Sequence, residues 1–270
     1  MANSASGESI IGRVVKIVSA FDDRHPAMSV AELGRRTGLP VTTTYRLVND
    51  LLLERLLERE PGGDIHIGTR MWELASRGSK MLGLREAALP FMEDVQAVVQ
   101  HSTTLGILDS DEVLYIERLG SDRTIVDITK IAGRLPVHAT SSGLVLLAHS
   151  PAAYQDAFLA RPLTKFTETT LTEPAALRRH LAEIRQRGFA AMPGVIVPES
   201  SGIAVPVFGP DNTIRAALSV VVPRNEENAP ARVPVLMAAA RGISRALGLA
   251  RRAEGDAPAK PLKALFAVHR

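Results

Sequence analysis

The stretch from Ser29 to Pro40 constrains this chain more than any other. Ser29 precedes Val30-Ala31-Glu32, and a serine three residues ahead of a glutamate is a capping box, in which each side chain satisfies a free amide of a helix's first turn. The helix that starts there carries Leu33 and Arg35-Arg36-Thr37 and stops at Gly38, since glycine takes the left-handed conformation past a helix end at little cost. Leu39-Pro40 redirects the chain, and Thr42-Thr43-Thr44-Tyr45-Arg46 opens another helix with Leu47, Val48, Leu51, Leu52 and Leu56 on its apolar face. Upstream, Ile10, Ile11, Val14, Val15, Ile17, Val18 and Phe21 recur at helical spacing, and Asp22-Asp23-Arg24-His25-Pro26 closes that segment. Three helices with a tight glycine turn between the second and third outline a helix-turn-helix.

Consecutive threonines at a helix start are informative, because β-branched residues are mediocre helix formers. One reading has Val41, Thr42, Thr43, Thr44, Tyr45 and Arg46 facing the major groove and phosphates of double-stranded DNA, with Arg35 and Arg36 beside them. The other has Thr42 as an N-cap and its neighbours filling surface. Arg46 is either a bidentate reader of guanine or a phosphate clamp. Downstream, Arg59 and Glu60 lead into the turn Pro61-Gly62-Gly63-Asp64 and the alternating Ile65-His66-Ile67, the pattern of a two-stranded wing with Arg59 and Arg70 as phosphate partners.

Net charge adds little to this. The chain carries +3 overall, but residues 1–80 hold 11 Lys/Arg against 10 Asp/Glu, and the excess lies in the last twenty residues. A module so weakly charged makes few phosphate contacts, so a homodimer or dimer of dimers on a palindromic operator is expected. With no cysteine among 270 residues, disulfides, cysteine-ligated zinc, iron–sulfur clusters and thiol nucleophiles are excluded. No cofactor motif and no metal-ligand spacing is present. The apolar runs fall short of the roughly 18 residues a bilayer span requires, and Met1 to Glu8 has no signal-peptide pattern, so a cytoplasmic chain without membrane association is expected.

The length suggests two domains. The expected division is a winged helix-turn-helix over residues 9–70, a helical linker over 71–83 interrupted near Arg77-Gly78-Ser79, a second domain over 84–252, and a disordered tail over 253–270. In the second domain, 104–108 and 113–118 form a hairpin followed by a strand at Ile125-Val126-Asp127-Ile128, and Gly202 to Phe208 pairs with Thr213 to Val222. Helices fall at 142–149, 151–160, 173–187 and 233–252. Antiparallel strands with helices between and after them give an α+β domain.

Within it, Thr140, Ser141, Ser142 and Gly143 lead into the apolar Leu144 to Ala148. Free amides at a helix start attract anions, and small hydroxyl residues let a carboxylate approach, so an organic acid is a natural ligand. The plain alternative is a Ser/Thr N-cap with a glycine for close packing. Gly-x-Ser-x-Gly, phosphate-loop, His-Glu-x-x-His and Gly-x-Gly-x-x-Gly motifs are all absent from the sequence. His138 near Ser141 and Ser142 resembles a catalytic pair in composition only. The competing functional class is a hydrolase-like or small-molecule-binding enzyme whose amino-terminal module makes protein contacts.

Taken in order, Ser29 to Gly34, Thr37-Gly38-Leu39-Pro40, Thr42-Thr43 with Arg46-Leu47, Glu58-Arg59 and Ile65 to Gly68 resemble the DNA-binding half of the IclR family of transcriptional regulators. Leu135 to Thr140 with Gly143, Arg187 to Ala190, Ile203 to Val207, and Ile243-Ser244 with Leu247-Gly248 are similar to its effector-binding half. The resemblance spans residues 9 to 250. It implies a profilin- or GAF-like sensor fold and an effector pocket that includes Ser141, Ser142, Gly143 and Ser219. Three positions depart from the family pattern: Val41 replaces a basic residue, Arg55 a glycine, and Leu144 a lysine. Met192 and Gly202 stand where some relatives have an acidic and a small polar residue, so a roomier, less polar pocket is expected, while Glu199 either substitutes for the acid or lies on a loop.

Overall fold

The computed structural model describes residues 8–22, 24–120, 129 and 131–256. The chain divides after Lys80 into two compact units.

The first unit is built as the sequence punctuation dictates. Helix α1 (Ile10–Val18) is capped by Ser9, whose hydroxyl accepts from the Gly12 amide at 3.0 Å. Helix α2 (Val30–Thr37) is capped by Ser29, which accepts from the Glu32 amide at 3.2 Å, and it ends at Gly38 with φ 65°. Among the described contacts only the serine arm of the capping box forms, because the Glu32 carboxylate turns to Arg35. Helix α3 (Val41–Leu53) follows. It stops three residues before Leu56, which was expected on its apolar face; Arg55 takes φ 58° and turns the chain out of the helix.

The wing has three strands where two were expected. β1 (Ala27–Met28), β2 (Leu57–Arg59) and β3 (Ile65–Ile67) pair antiparallel in the order β1-β3-β2. Two residues between Pro26 and Ser29 are too few to leave a periodic signal, so β1 is invisible until its partner is placed. Ile17, Leu33, Leu47, Val48, Leu57 and Ile65 form the buried centre. Helix α4 (Thr69–Ser76) starts at Gly68, which has no capping side chain. Glu58 on β2 supplies the cap, accepting from the Thr69 amide at 2.9 Å and its hydroxyl at 2.8 Å. These bonds hold the Glu58 carboxyl below the usual range.

In the second unit helix α5 (Lys80–Val99) is followed by β4 (Ser102–Asp109), β5 (Glu112–Leu119) and β6 (Arg134–Pro136). Helices α6 (Ser141–Ala148), α7 (Ala152–Leu159) and α8 (Pro174–Arg187) come next, then β7 (Ala190–Pro193), β8 (Ser200–Phe208), β9 (Ile214–Pro223) and α9 (Ala229–Asp256). The strands form one antiparallel sheet in the order β6-β5-β4-β9-β8-β7. The unit is therefore α+β, as expected. The expected strand at 125–128 lies outside the described residues; β5 is flanked instead by β6, with Val113 opposite Leu135.

Strand alternation divides the core. Ile203, Val205 and Val207 of β8 join Met92 of α5 and Leu236 of α9 on one face, while Ala204 and Ala217 face α6 on the other. Small residues on that second face let α6 approach closely, and all eight of its residues are buried. Helix α9 continues through residues 253–256, where a disordered tail was expected, since Arg251-Arg252-Ala253-Glu254 are good helix formers. The rest of that tail, residues 257–270, lies outside the described residues.

Candidate DNA-contacting surface and ligand cavity

The start of α3 presents a mixed face. Val41 is 65% and Tyr45 49% exposed. Thr42 and Arg46 are exposed, Thr43 is half-buried, and Arg46 has no partner among the described residues. Thr44 departs from the expectation of a groove-facing threonine, being fully buried with its hydroxyl donating to the Pro40 carbonyl at 3.2 Å. At helical spacing, positions 44, 47, 48 and 51 share one side, and that side faces the core. Thr42 is not the N-cap either; Pro40 occupies that position without a side-chain bond.

The neighbouring arginines are already engaged. Arg35 pairs with Glu32, and Arg36 pairs with Asp22 at 2.8 Å. Asp22 also accepts from His25, Arg24 and His25 amides included, and the His25 side chain is the largest influence lowering its carboxyl to about 2. Arg59 donates to the Gly63 carbonyl at 2.8 Å, so it braces the wing turn while its remaining N–H groups stay at the surface. Arg70 is exposed.

In the second unit a cavity of about 50 Å³ opens between the start of α6 and the sheet, room for a few waters before any movement. Thr129, Thr140, Ser141, Ser200 and Ser219 supply its polar groups. Tyr115, Leu135, Met192, Val195, Ile196 and Val221 supply its apolar wall. The expected residues Ser141, Met192, Gly202 and Ser219 meet here because Met192 and Gly202 are opposite in the β7–β8 register and Ser219 lies on adjacent β9.

Two expected residues serve the cavity from behind. Gly143 does not line it: a Cβ there would collide with the Val137 backbone, and its amide donates to the Thr140 hydroxyl at 3.0 Å. Ser142 is 1% exposed and bonds Ser219 at 2.8 Å between hydroxyl oxygens. Hence the first-turn amides of α6 without a partner among the described residues are those of Ser141 and Ser142, not Gly143.

The room expected over Gly202 is also partly filled, since a Cβ there would stand 2.7 Å from the Ser141 hydroxyl. Glycine at 202 thus makes space for the Ser141 side chain. Glu199 is exposed on the β7–β8 loop and does not line the cavity. His138 is buried with Nε2 2.8 Å from the Thr164 carbonyl and its ring beside Phe166, so it is committed away from the serines.

Sequence reasoning passed over Thr104. It is fully buried, sits opposite Ser219 in the β4–β9 register, and its hydroxyl is 2.6 Å from that of Ser219. Only strand pairing reveals this relation, since the two residues are 115 positions apart. Among the described residues no cluster of His, Asp or Glu is arranged to hold a metal ion, and no helix is long and apolar enough to cross a membrane.

A winged helix-turn-helix joined in one chain to an α+β unit with an internal cavity defines a DNA-binding regulator with a small-molecule domain. Residues 11–61 match the family description "IclR helix-turn-helix domain", and residues 79–245 match "Bacterial transcriptional regulator IclR C-terminal". The chain belongs to the IclR family of transcriptional regulators and is not an enzyme. It is 32% identical over 224 residues to the uncharacterized HTH-type transcriptional regulator RhmR of Escherichia coli strain K12, covering 82% of this chain and 86% of RhmR. The transcriptional regulator XynR of the same strain is 29% identical over 215 residues, 78% of this chain and 84% of XynR. Among solved structures, an IclR homolog of Microbacterium hydrocarbonoxydans complexed with 4-hydroxybenzoate is 41% identical with a TM-score of 0.83, covering 89% of this chain and 100% of that one.

Proposed function

We propose that this regulator binds a palindromic operator as a homodimer or dimer of dimers, and that a small organic acid with an apolar body, seated in the cavity beside α6, changes its operator affinity. The observation that carries the ligand class is the pairing of Ser141, at the start of α6 with its amide unpartnered among the described residues, with an apolar wall built around Met192, Val195 and Ile196. Amides at a helix start favour an anion, and the wall favours an apolar remainder. The relative complexed with 4-hydroxybenzoate supports the same class.

The operator reading rests on the exposed Val41, Thr42, Tyr45 and Arg46 at the start of α3, with half-buried Thr43 among them, and on the exposed Arg35 and Arg36 of α2 and Arg59 of β2. Self-association is supported by Ile11 at 75% and Val15 at 56% exposure, one turn apart on the same face of α1, since contiguous exposed apolar surface marks an interaction site. A thermal-shift series of aromatic acids against their neutral amides tests the ligand class. The acids are expected to raise Tm, and Ser141→Leu, which fills the cavity, is expected to abolish the rise. Equal shifts for acid and amide would remove the anion site.

A further inference from the structure

Given that the cavity beside α6 is the effector site, we infer that Ser219 is locked as a hydrogen-bond donor into it, and that Thr104 and Ser142 are the positioning residues that lock it. The three hydroxyls form a branched contact, with Ser219 Oγ 2.6 Å from Thr104 Oγ1 and 2.8 Å from Ser142 Oγ. Thr104 and Ser142 are 0% and 1% exposed, and neither lines the cavity. Among the described residues, neither side-chain hydroxyl has any other partner.

The direction of the protons follows from counting them. Each hydroxyl has one proton to give and two lone pairs to receive. If Ser219 donated to Ser142, the Ser142 proton would be buried with nothing to meet, and donation to Thr104 would strand the Thr104 proton in the same way. A buried unmet donor is costly. The arrangement in which both outer hydroxyls donate to Ser219 leaves no proton stranded. It fills both lone pairs of Ser219 and leaves its own proton one open direction, the cavity that Ser219 lines. Receiving two hydrogen bonds also polarises the Ser219 hydroxyl, which strengthens it as a donor.

The fold builds this deliberately from three elements. β4 and β9 place Thr104 and Ser219 side by side on the face toward α6, and the close approach of α6 that Gly143 permits brings Ser142 down onto them. The consequence is a rule of selection distinct from charge. A ligand must present an acceptor to Ser219, and a ligand group that can only donate is refused, because Ser219 has no lone pair left to receive it.

The test uses the full chain and three probes: benzoate, the neutral acceptor acetophenone, and the neutral donor aniline, with dissociation constants from calorimetry. For the wild type, benzoate and acetophenone are expected to bind, and aniline to bind on the order of tenfold more weakly than acetophenone, as for a hydrogen bond left unmade in a closed site. Thr104→Ser, which keeps the donated proton, is expected to keep that ratio. The double variant Thr104→Val/Ser142→Ala frees the Ser219 hydroxyl to turn, and the ratio is expected to fall toward one. An unchanged ratio in the double variant overturns the proton assignment while leaving the cavity reading in place. Failure of all three probes to bind the wild type overturns the acceptor requirement together with that reading. Equal loss of ratio in Thr104→Ser would show that packing, not the donated proton, sets the preference.

Discussion

Thr44 and Arg46 lie two positions apart on α3 and meet opposite surroundings. The Thr44 hydroxyl bonds only the Pro40 carbonyl, which also accepts the Thr44 amide at 2.9 Å, so Thr44→Val keeps both shape and backbone bond. Its operator affinity is expected to stay within about 0.5 kcal/mol of wild type. Arg46→Ala is expected to weaken operator binding by about 1–3 kcal/mol. Titrations at several salt concentrations separate its two roles: a phosphate clamp lowers the salt slope by about one, and a base reader leaves the slope and loses specificity. Wild-type affinity for Arg46→Ala would contradict the orientation assigned to α3. Arg55 offers a test of strain at the same scale. A non-glycine residue at φ 58° is held in the left-handed region, so Arg55→Gly is expected to stabilise the first unit by about 0.5–1 kcal/mol, the steric relief less the entropy glycine loses on folding. Chemical denaturation of the isolated mutant and wild-type full chains measures it, and a destabilised variant would contradict the claim.

Between elements, the joint from β2 to α4 depends on one carboxylate. Glu58→Gln replaces an ionised acceptor with a neutral one at the α4 start, and amide exchange in the first turn of α4 is expected to quicken while that of α6 stays unchanged. Acid acts on the same unit. Asp22 has its folded pKa lowered from 3.8 to about 2, and Glu58 is lowered from 4.5. Both contribute stability that is fully present above the unfolded values and is lost as pH falls through the folded ones. The first unit should therefore weaken between about pH 4 and pH 2, and Asp22→Asn should flatten that part of the profile. Elements were legible where a period or a punctuating residue marked them: Ser29, Gly38 and Pro40 bounded the helix-turn-helix, and the 77–79 break between α4 and α5 was visible at Gly78. What escaped was fixed by pairing across distance. β1 is two residues long, and Thr104 acquires meaning only opposite Ser219. The inward turn of Thr44, by contrast, is readable from sequence, since it stands three, four and seven residues before Leu47, Val48 and Leu51 on the apolar side of α3. Gly143 was read as part of an anion site because sequence shows a small residue there without showing the Val137 backbone it must clear.

At the scale of the whole molecule, the two units carry separate tasks in one chain, and regulation requires that occupancy of one alter the other. Such coupling is reciprocal: a ligand that lowers operator affinity must itself be bound less tightly by the operator complex. Sedimentation of the full chain is expected to show a dimer or a higher assembly, and a monomer that binds its operator tightly would contradict the two-half-site account. The central claim is that the cavity beside α6 governs DNA binding. Its most direct test is the operator affinity of the full chain, on DNA selected from genomic fragments, with and without a saturating aromatic acid that raises its Tm. The account predicts that the acid changes the affinity of the wild type by about 5- to 150-fold and leaves that of Ser141→Leu unchanged, with both proteins binding the operator alike in the acid's absence. An equal response from the filled cavity, or no response from the wild type to an acid that it demonstrably binds, would contradict it.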